Sequence, residues 1–285
     1  MRVVRRVDEM KSLCAGFRSS GGTVGFVPTM GALHEGHLSL LKIAQQRSAV
    51  SVMSIFVNPI QFGPMEDFAR YPRPFDADCD LAKANGCDLL FAPPAEEMYP
   101  EGYCTFVDVE RITKRLCGTA RPGHFRGVAT VVLKFFNIVG PSVAVFGQKD
   151  CQQAVVLKRM VEDLNCPVEI VVAPTMRESD GLAMSSRNAY LTPAERSGAT
   201  AIFRGLTAAR ELHARGERSA ARLVRTVSAL FAQQEMFAVE YMEMVDPRSL
   251  EPVETLSGAA LLAVAVRTRE TRTRLIDNIV LGGEL

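Results

Sequence analysis

The sequence has almost no net charge. Its 33 Lys and Arg residues nearly balance 32 Asp and Glu residues, which leaves a formal charge of +1 over 285 residues. A chain this close to neutral has no broad electrostatic field that would attract nucleic acid or an anionic membrane. We therefore expect neither partner, and any anionic ligand must be held by local groups.

Long apolar runs are missing as well. The longest one, residues 259–266, is too short to cross a bilayer. The basic N-terminal stretch MRVVRRVDEMKSLCAG lacks the apolar segment of a signal peptide. Together with an ordinary composition of 47% hydrophobic and 23% charged residues, these absences predict a cytoplasmic globular protein.

Paired cysteines are also absent from the sequence. The seven cysteines are scattered, odd in number and never spaced as C-x-x-C. This spacing argues against a disulfide framework and against a structural zinc site. Reduced thiols in the cytosol are the simple interpretation.

Strand-like and helix-like segments alternate through the first two thirds of the chain. The predicted strands are residues 23–27, 49–57, 88–92, 142–146 and 168–172, and the predicted helices start near residue 36 and cover 76–85, 127–139 and 150–164. This alternation predicts an α/β fold with a parallel sheet covered on both faces. Ligands of such sheets bind at the carboxyl ends of the strands, where the polar, Gly-rich segments of this chain fall.

The pattern changes after about Thr175. Residues 195–215 and 219–234 are predicted to be helices, followed by strand-like runs at 239–245, 259–266 and 273–280. Successive helices followed by successive strands predict a small α+β domain. With 285 residues the chain is long enough for two domains, and we divide it into 1–175 and 176–285.

The segment PTMGALHEGH, residues 28–37, joins a predicted strand to a predicted helix. Two histidines three residues apart share one face of a helix. At a helix N-terminus they would add donors to a place that already favours anions, so we interpret His34 and His37 as phosphate ligands. A metal pair or a surface position is the alternative, although the four histidines of the chain leave few partners for a metal site.

Two further polar loops follow predicted strands or flank the predicted domain boundary. FGQKD, residues 146–150, contains a mobile cation suited to phosphate, but Lys and Asp also commonly decorate exposed loops. DGLAMSSRN, residues 180–188, offers two hydroxyls and an Arg for a polyphosphate, and its composition equally fits a polar linker with a helix cap.

The segment FVNPIQFG, residues 56–63, carries neutral hydrogen-bonding groups in an apolar run. Asn58 and Gln61 suit a hydroxylated substrate better than a phosphate, or else form a turn with a buried structural amide. GHFRG at 123–127 and YPR at 71–73 are further candidates, for which a surface or packing role is favoured over direct catalysis.

Taken together, these segments closely resemble the pantoate–β-alanine ligase family, also called pantothenate synthetases. The resemblance covers most of the first 190 residues and keeps the order and spacing of PTMGALHEGH, FVNPIQFG, YPR, RPGHFRGV, FGQKDCQQ and DGLAMSSRNAYL. Several independent motifs in one order are far more specific than a single H-x-G-H sequence.

The resemblance implies a Rossmann-like sheet of the nucleotidyltransferase (HIGH) type with a smaller C-terminal α+β domain that covers the active site. It also implies an ATP-dependent condensation of pantoate with β-alanine through a pantoyl-adenylate, with release of AMP and pyrophosphate. Mg²⁺ as a cofactor and a homodimer are further implications of the resemblance.

The site residues are carried over from the matching motifs. The residues implied to be catalytic are His34, His37, Lys149, Ser185, Ser186 and Arg187. Those implied to bind ATP are Met30, Gly31, Ala32, Leu33, His34, Glu35, Gly36, His37, Gly147, Gln148, Lys149, Asp150, Met176, Met184, Ser185, Ser186 and Arg187. Those implied to bind pantoate are Pro28, Met30, Asn58, Gln61 and Gln153, and Gln61 is also assigned to β-alanine.

Two positions depart from the family pattern, and the metal ligands stay open. Gln148 stands where Glu is expected, and Pro74 stands where Thr is familiar. Asp78 and Asp150 are possible Mg²⁺ ligands, directly or through water.

The rival interpretations are an adenylyltransferase that stops after transferring AMP, a tRNA synthetase-like enzyme, and a nucleotide-binding regulatory module without turnover.

Overall fold

A computed structural model describes residues 1–64, 66–231 and 234–285, and in it the chain forms two compact units. The first unit comprises Met1–Glu110, Arg121–Gly147 and Val156–Ala173, and the second comprises Arg111–Ala120, Gln148–Val155 and Pro174–Leu285. The predicted division into 1–175 and 176–285, with the second part as a cover, stays a prediction.

The first unit contains a six-stranded sheet in which every pair of neighbours is parallel. Its strands are β1 (Arg2–Val4), β2 (Val24–Thr29), β3 (Val50–Ile55), β4 (Leu89–Phe91), β5 (Val143–Gly147) and β6 (Glu169–Ala173). The order across the sheet is β1-β4-β3-β2-β5-β6. The α/β fold with a parallel sheet is therefore confirmed.

Helices follow the strands because the apolar strands must be covered on both faces. These helices are α1 (Val7–Ser19), α2 (Glu35–Arg47), α3 (Phe75–Ala84), α4 (Ala95–Met98) and α6 (His124–Val139). Val27, Leu41, Met53 and Leu90 are fully buried members of one core cluster formed by β2, β3, β4 and α2. The alternating pattern correctly predicted β2 to β6 and the helices α2, α3 and α6, with ends displaced by at most three residues.

The N-terminal β1 and α1 were not predicted. The first residues were considered only as a targeting segment, yet β1 pairs in parallel with β4, with Val3 opposite Leu90. A strand of three residues at the sheet edge is too short to show a periodic pattern. Its position is fixed by pairing with a partner almost ninety residues away.

The strand order reverses between β2 and β5. From β2 the chain continues to β3 and β4 on one side, whereas β5 leads to β6 on the other. Phe26 pairs with Ala144, so the carboxyl ends of β2 and β5, at Thr29 and Gly147, lie at the same edge of the sheet. Such a switch point opens a crevice where ligands of α/β sheets bind.

The second unit packs helices against a three-stranded antiparallel sheet. Its elements are α5 (Cys117–Ala120), α8 (Pro193–Ala214), α9 (Ala220–Phe231), β7 (Phe237–Val245), β8 (Ala260–Thr268) and β9 (Arg274–Leu281), and α7 (Cys151–Asp163) contributes residues to both units. The sheet order is β7-β8-β9, and Ile202, Leu206, Leu223 and Leu262 are buried in its core.

The predicted α+β character of the C-terminal part is confirmed. The helix predicted at 219–234 is described over Ala220–Phe231, and residues 232–233 lie outside the described residues. Across the described ranges, no helix is long and apolar enough to cross a membrane.

Candidate active site

The H-x-G-H segment forms the start of α2. His34 is the residue that caps the helix, and its Nδ1 accepts a hydrogen bond from the backbone N–H of Gly36 at 3.1 Å. His37 Nδ1 accepts from the backbone N–H of His34 at 3.3 Å. The two rings lie close together, with their centroids 4.1 Å apart.

These contacts determine which ring nitrogen of each histidine can face a ligand. A nitrogen that accepts a hydrogen bond carries no proton, so the neutral rings of His34 and His37 hold their proton on Nε2. Each Nε2–H is then a donor, and donors at a helix N-terminus are suited to an anion. The predicted strand–loop–helix context of the motif is therefore present in the structure.

Asp78 holds the loop between β2 and α2. Its carboxylate is 1% exposed and accepts backbone N–H groups from Ala32 at 2.8 Å and Leu33 at 2.7 Å. Burial raises the pKa of Asp78, and the two backbone hydrogen bonds act in the opposite direction. Asp78 is a possible metal ligand by sequence, and in the structure both of its carboxylate oxygens accept backbone N–H groups of this loop.

The backbone of this loop needs a glycine at position 31. Gly31 has φ +82°, and the next residue, Ala32, also has a positive φ of 50°. A Cβ on Gly31 would lie 2.9 Å from Asp78 Oδ2 and 3.0 Å from Ile55 Cγ2. The close approach of the Asp78 carboxylate therefore depends on the missing side chain.

Half-buried Gln61 lies next to Met30 and is hydrogen-bonded to the buried amide of Asn58. Gln61 Nε2 is 3.3 Å from Met30 Sδ, and Gln61 Oε1 accepts from Asn58 Nδ2 at 2.9 Å. Asn58 is 1% exposed, and its Oδ1 accepts from the Tyr99 hydroxyl at 2.8 Å. Of the predicted pantoate ligands, the structure thus brings Met30, Asn58 and Gln61 into direct contact.

The start of α6 packs against the Asn58–Gln61 loop. A Cβ on Gly127 would lie 2.5 Å from the Ile60 carbonyl oxygen, so the helix and the loop approach at backbone distance. His124 Nδ1 is 2.9 Å from the Gln61 carbonyl oxygen, and Arg121 Nε donates to Glu66 Oε1 at 2.9 Å. The packing role favoured for the GHFRG segment agrees with these contacts.

In the second unit, Asn278 anchors the loop that contains Lys149. Asn278 Nδ2 donates to the backbone carbonyls of Gln148 at 2.8 Å and Lys149 at 3.1 Å. Gln148 Nε2 donates to Asn278 Oδ1 at 3.2 Å, which a Glu side chain at this position could not do. Lys149 Nζ lies 3.8 Å from the half-exposed Asp150 carboxylate.

The Ser-Ser-Arg segment follows a short hairpin in the second unit. Arg177 and Ala183 form a β-bridge, and Met184 N donates to the Met176 carbonyl at 2.9 Å. Ser185 caps a short 3₁₀ helix, Ser186–Tyr190, by accepting from Arg187 N at 3.3 Å. Both interpretations of this segment, helix cap and ligand loop, are compatible with this conformation.

Acidic and basic side chains hold this hairpin in shape. Arg196 donates to Glu178 Oε2 and to Asp180 Oδ2, both at 2.6 Å. The hydrogen bond from Arg196 lowers the pKa of Asp180. Glu178 Oε1 also accepts from Asn188 Nδ2 at 2.8 Å, so one carboxylate ties both ends of the segment together.

Gln153, predicted to bind pantoate, lies half-buried on α7 beside a structural glutamine. Gln152 is 4% exposed, accepts from Cys117 N at 2.9 Å and donates to the carbonyls of Ile112 and Arg115. It therefore attaches residues 111–120 to α7. The ligand-binding roles of all carried-over residues stay predictions.

Five residues hold these loops in position through hydrogen bonds, and the sequence alone did not predict that role for them. They are Asp78, Tyr99, Gln152, Arg196 and Asn278. Each is a single polar residue in or directly after an otherwise ordinary helix or strand, and its partners are distant in sequence. The sequence does show that Asp78 lies in the first turn of a predicted helix, a favourable place for a carboxylate. Nothing in the sequence indicated its hydrogen-bond partners.

Comparisons with known proteins agree on one family. A family model described as pantoate–β-alanine ligase matches residues 2–280. The pantothenate synthetase of Heliobacterium modesticaldum is 55% identical over 280 residues, covering 98% of this chain and 99% of the relative. That of Geobacter sulfurreducens is 52% identical over 284 residues and covers 100% of both chains.

Solved structures give the same result. The pantothenate synthetase of Thermus thermophilus superposes with a TM-score of 0.92 at 46% identity, covering 98% of this chain and 99% of that one. A pantoate–β-alanine ligase of Francisella tularensis, complexed with β-γ ATP and β-alanine, has a TM-score of 0.79 at 31% identity, covering 98% and 97%. The chain therefore belongs to the pantoate–β-alanine ligase family, enzymes that use ATP to join pantoate to β-alanine.

Proposed function

We propose that the reaction proceeds in two steps through a pantoyl-adenylate. The pantoate carboxylate attacks the α-phosphorus of ATP, forms an acyl–phosphate bond and expels pyrophosphate. The β-alanine amine then attacks the acyl carbon, forms the amide, loses a proton and expels AMP. Activation is needed because an amine does not displace oxide from a free carboxylate at neutral pH.

The observation that carries this proposal is the start of α2. The imidazoles of His34 and His37 lie at the N-terminus of α2, where each accepts a backbone N–H group at Nδ1 and presents its Nε2–H as a donor. Such donors stabilise charge that develops on phosphate oxygens as pyrophosphate leaves, without supplying a nucleophile. In this proposal His34 and His37 bind the phosphates, and His37 donates a proton or a hydrogen bond in the transition state.

The remaining site residues are assigned by the family motifs. Lys149, Ser185, Ser186 and Arg187 hold the triphosphate, and the backbone of Met176 contacts the base. Gln61 and Gln153 bind the hydroxyls and the carboxylate of pantoate. The Francisella tularensis ligase, which is complexed with β-γ ATP and β-alanine, supports the assignment of ATP and β-alanine as substrates.

Mg²⁺ belongs to the same proposal. Both Asp78 oxygens already accept backbone N–H groups, whereas the Asp150 carboxylate is 49% exposed. Within the three described ranges, no group of three or more His, Cys, Asp or Glu side chains could hold a metal ion. These residues fit an ion that would arrive with the nucleotide and offset its phosphate charge, and Asp150 would hold it directly or through water.

A homodimer and a cytoplasmic location complete the proposal. Both rest on the family resemblance, and the location also rests on the seven cysteines, which are all free thiols. Sedimentation equilibrium tests the first point, with a particle of twice the chain mass expected. A particle of one chain mass at micromolar concentration would exclude a stable dimer.

Isotope exchange between pyrophosphate and ATP tests the two-step reaction. We expect exchange that requires pantoate and Mg²⁺, proceeds without β-alanine, and is accompanied by AMP release once β-alanine is added. A stable adenylylated product that does not react with β-alanine would instead indicate an adenylyltransferase. Absence of both exchange and AMP release would indicate a binding module without turnover.

A further inference from the structure

The buried carboxamide of Asn58 has every hydrogen-bonding group engaged. Its Oδ1 accepts from the Tyr99 hydroxyl at 2.8 Å. Its Nδ2 donates to Gln61 Oε1 at 2.9 Å and to the backbone carbonyl of Gly127 at 3.2 Å. With 1% of its surface exposed, Asn58 cannot rotate its amide and keep these partners.

The backbone carbonyl of Gly127 determines which way this amide points. A carbonyl oxygen can only accept, so the Asn58 group that faces it must be the NH₂. The Asn58 oxygen then faces Tyr99, whose hydroxyl is the donor. Burial raises the pKa of Tyr99, so the phenol keeps this proton throughout the neutral range.

The same reasoning extends to Gln61. Because Asn58 presents an N–H to it, Gln61 is held with its oxygen towards Asn58. The Gln61 NH₂ is left on the other side, 3.3 Å from Met30 Sδ, a weak acceptor. A Gln61 amide in this orientation offers donors and no acceptor to a ligand beside Met30.

We propose that Tyr99 is a positioning residue that selects for an organic acid by holding the Gln61 NH₂ towards the substrate. This inference rests on the proposed role of Gln61 in pantoate binding. A carboxylate or hydroxyl oxygen of the acid accepts from the held NH₂ group, whereas a donor such as an amine or an amide N–H finds no partner there. Asn58 acts through Gln61 and does not contact the acid itself.

The hydroxyl of Tyr99 can be removed without removing its ring. The ring packs against Phe56 and Tyr103, with centroids 6.1 Å and 5.0 Å away, and Lys134 Nζ lies 5.5 Å from its centroid. Tyr99→Phe keeps these contacts and removes only the donor to Asn58. Without that donor the Asn58 oxygen is buried and unsatisfied, which weakens the network that holds the amides of Asn58 and Gln61 in their orientation.

Steady-state kinetics of Tyr99→Phe test the proposal. We expect the KM for pantoate to rise about tenfold, close to 1.4 kcal/mol of binding free energy, with the kcat and the KM for ATP changed less than twofold. Tyr103→Phe is the matched control, because Tyr103 also lies in the aromatic cluster but outside the amide network, and it should leave all three constants unchanged. A Tyr99→Phe enzyme with an unchanged pantoate KM would overturn the proposal.

A double-mutant cycle separates positioning from general destabilisation. Tyr99→Phe should have no further effect on the pantoate KM when Gln61 is already Ala, whereas an effect multiplied onto that of Gln61→Ala would overturn the proposal. If Gln61→Ala alone leaves the pantoate KM unchanged, the assignment of Gln61 in the proposed function fails first. The two failures are therefore distinguishable.

Discussion

Among single side chains, His37 is the one proposed to act most directly in the first chemical step, the formation of the adenylate. Its Nδ1 is engaged by the His34 backbone, which leaves Nε2–H as the donor. Because this donor would act on charge that develops in the transition state, we expect His37→Ala to slow adenylate formation by about 10²-fold or more.

Single-turnover release of pyrophosphate, with saturating ATP and pantoate, measures this effect. His213→Ala is the control, because His213 lies near the end of α8 and outside the motifs assigned to the substrates. Pyrophosphate release at nearly the native rate in His37→Ala would remove His37 from the proposed role.

At the scale of elements, the hairpin before the Ser-Ser-Arg segment depends on Gly181. This residue has φ +92°, and a Cβ would lie 2.0 Å from Cδ1 of Phe203 on α8. Gly181→Ala must therefore displace a ring as well as strain the backbone. We expect it to lower the free energy of unfolding by about 1–3 kcal/mol more than backbone strain alone.

Gly216 provides the matched control for this prediction. It has a similar φ of +99°, but a Cβ there would meet no heavy atom within 4 Å. Gly216→Ala thus reports the strain of the positive φ without the collision. Equal losses of unfolding free energy in the two variants, measured by urea denaturation, would show that Phe203 does not constrain the hairpin.

On the three-stranded sheet, Glu240 forms ion pairs whose contribution to stability depends on pH. Glu240 on β7 accepts from Arg274 Nε on β9 at 2.7 Å and from Arg267 Nε on β8 at 3.0 Å. Burial acts to raise the pKa of Glu240, but the charges and hydrogen bonds of Arg274 and Arg267 outweigh it, so the pKa is lowered from 4.5.

A lowered carboxyl pKa has a definite sign for stability. The unfolded chain binds the proton more readily, so the stabilisation is present above the unfolded pKa near 4.5 and is lost as the pH falls through the lower folded pKa. The thermal midpoint of the native protein should therefore fall more steeply on acidification below about pH 5 than that of Glu240→Gln. Parallel pH profiles for the two proteins would contradict this assignment.

At the scale of the whole molecule, the proposed function requires the start of α2 and the Ser186–Tyr190 helix to bind the same nucleotide. Hydrogen exchange with and without ATP and Mg²⁺ tests this requirement. Amides at the start of α2 and in the Ser186–Tyr190 helix should become protected together, with the same dependence on ATP concentration. Peptides from α9 serve as the unliganded reference, and protection of one loop alone would mean that the two do not share a nucleotide.

The sequence by itself determined the succession of elements. Apolar runs of strand length alternate with helical periods, and this local signal predicted β2 to β6, the helices α2, α3 and α6 to α9, and the C-terminal sheet. It also indicated that the polar motifs would follow strands. The order and spacing of those motifs were sufficient to predict the family, because they are written in consecutive residues.

Only the tertiary structure decided how those motifs are held. Asp78 reaches back to Ala32 and Leu33, Tyr99 fixes Asn58 across 41 residues, and Asn278 binds the Lys149 loop from across 129 residues. Each contact joins single polar groups that have no periodic pattern of their own. Burial of the surrounding apolar surface brings these distant segments together. Each buried donor or acceptor then has to pair with the polar groups that the fold places beside it.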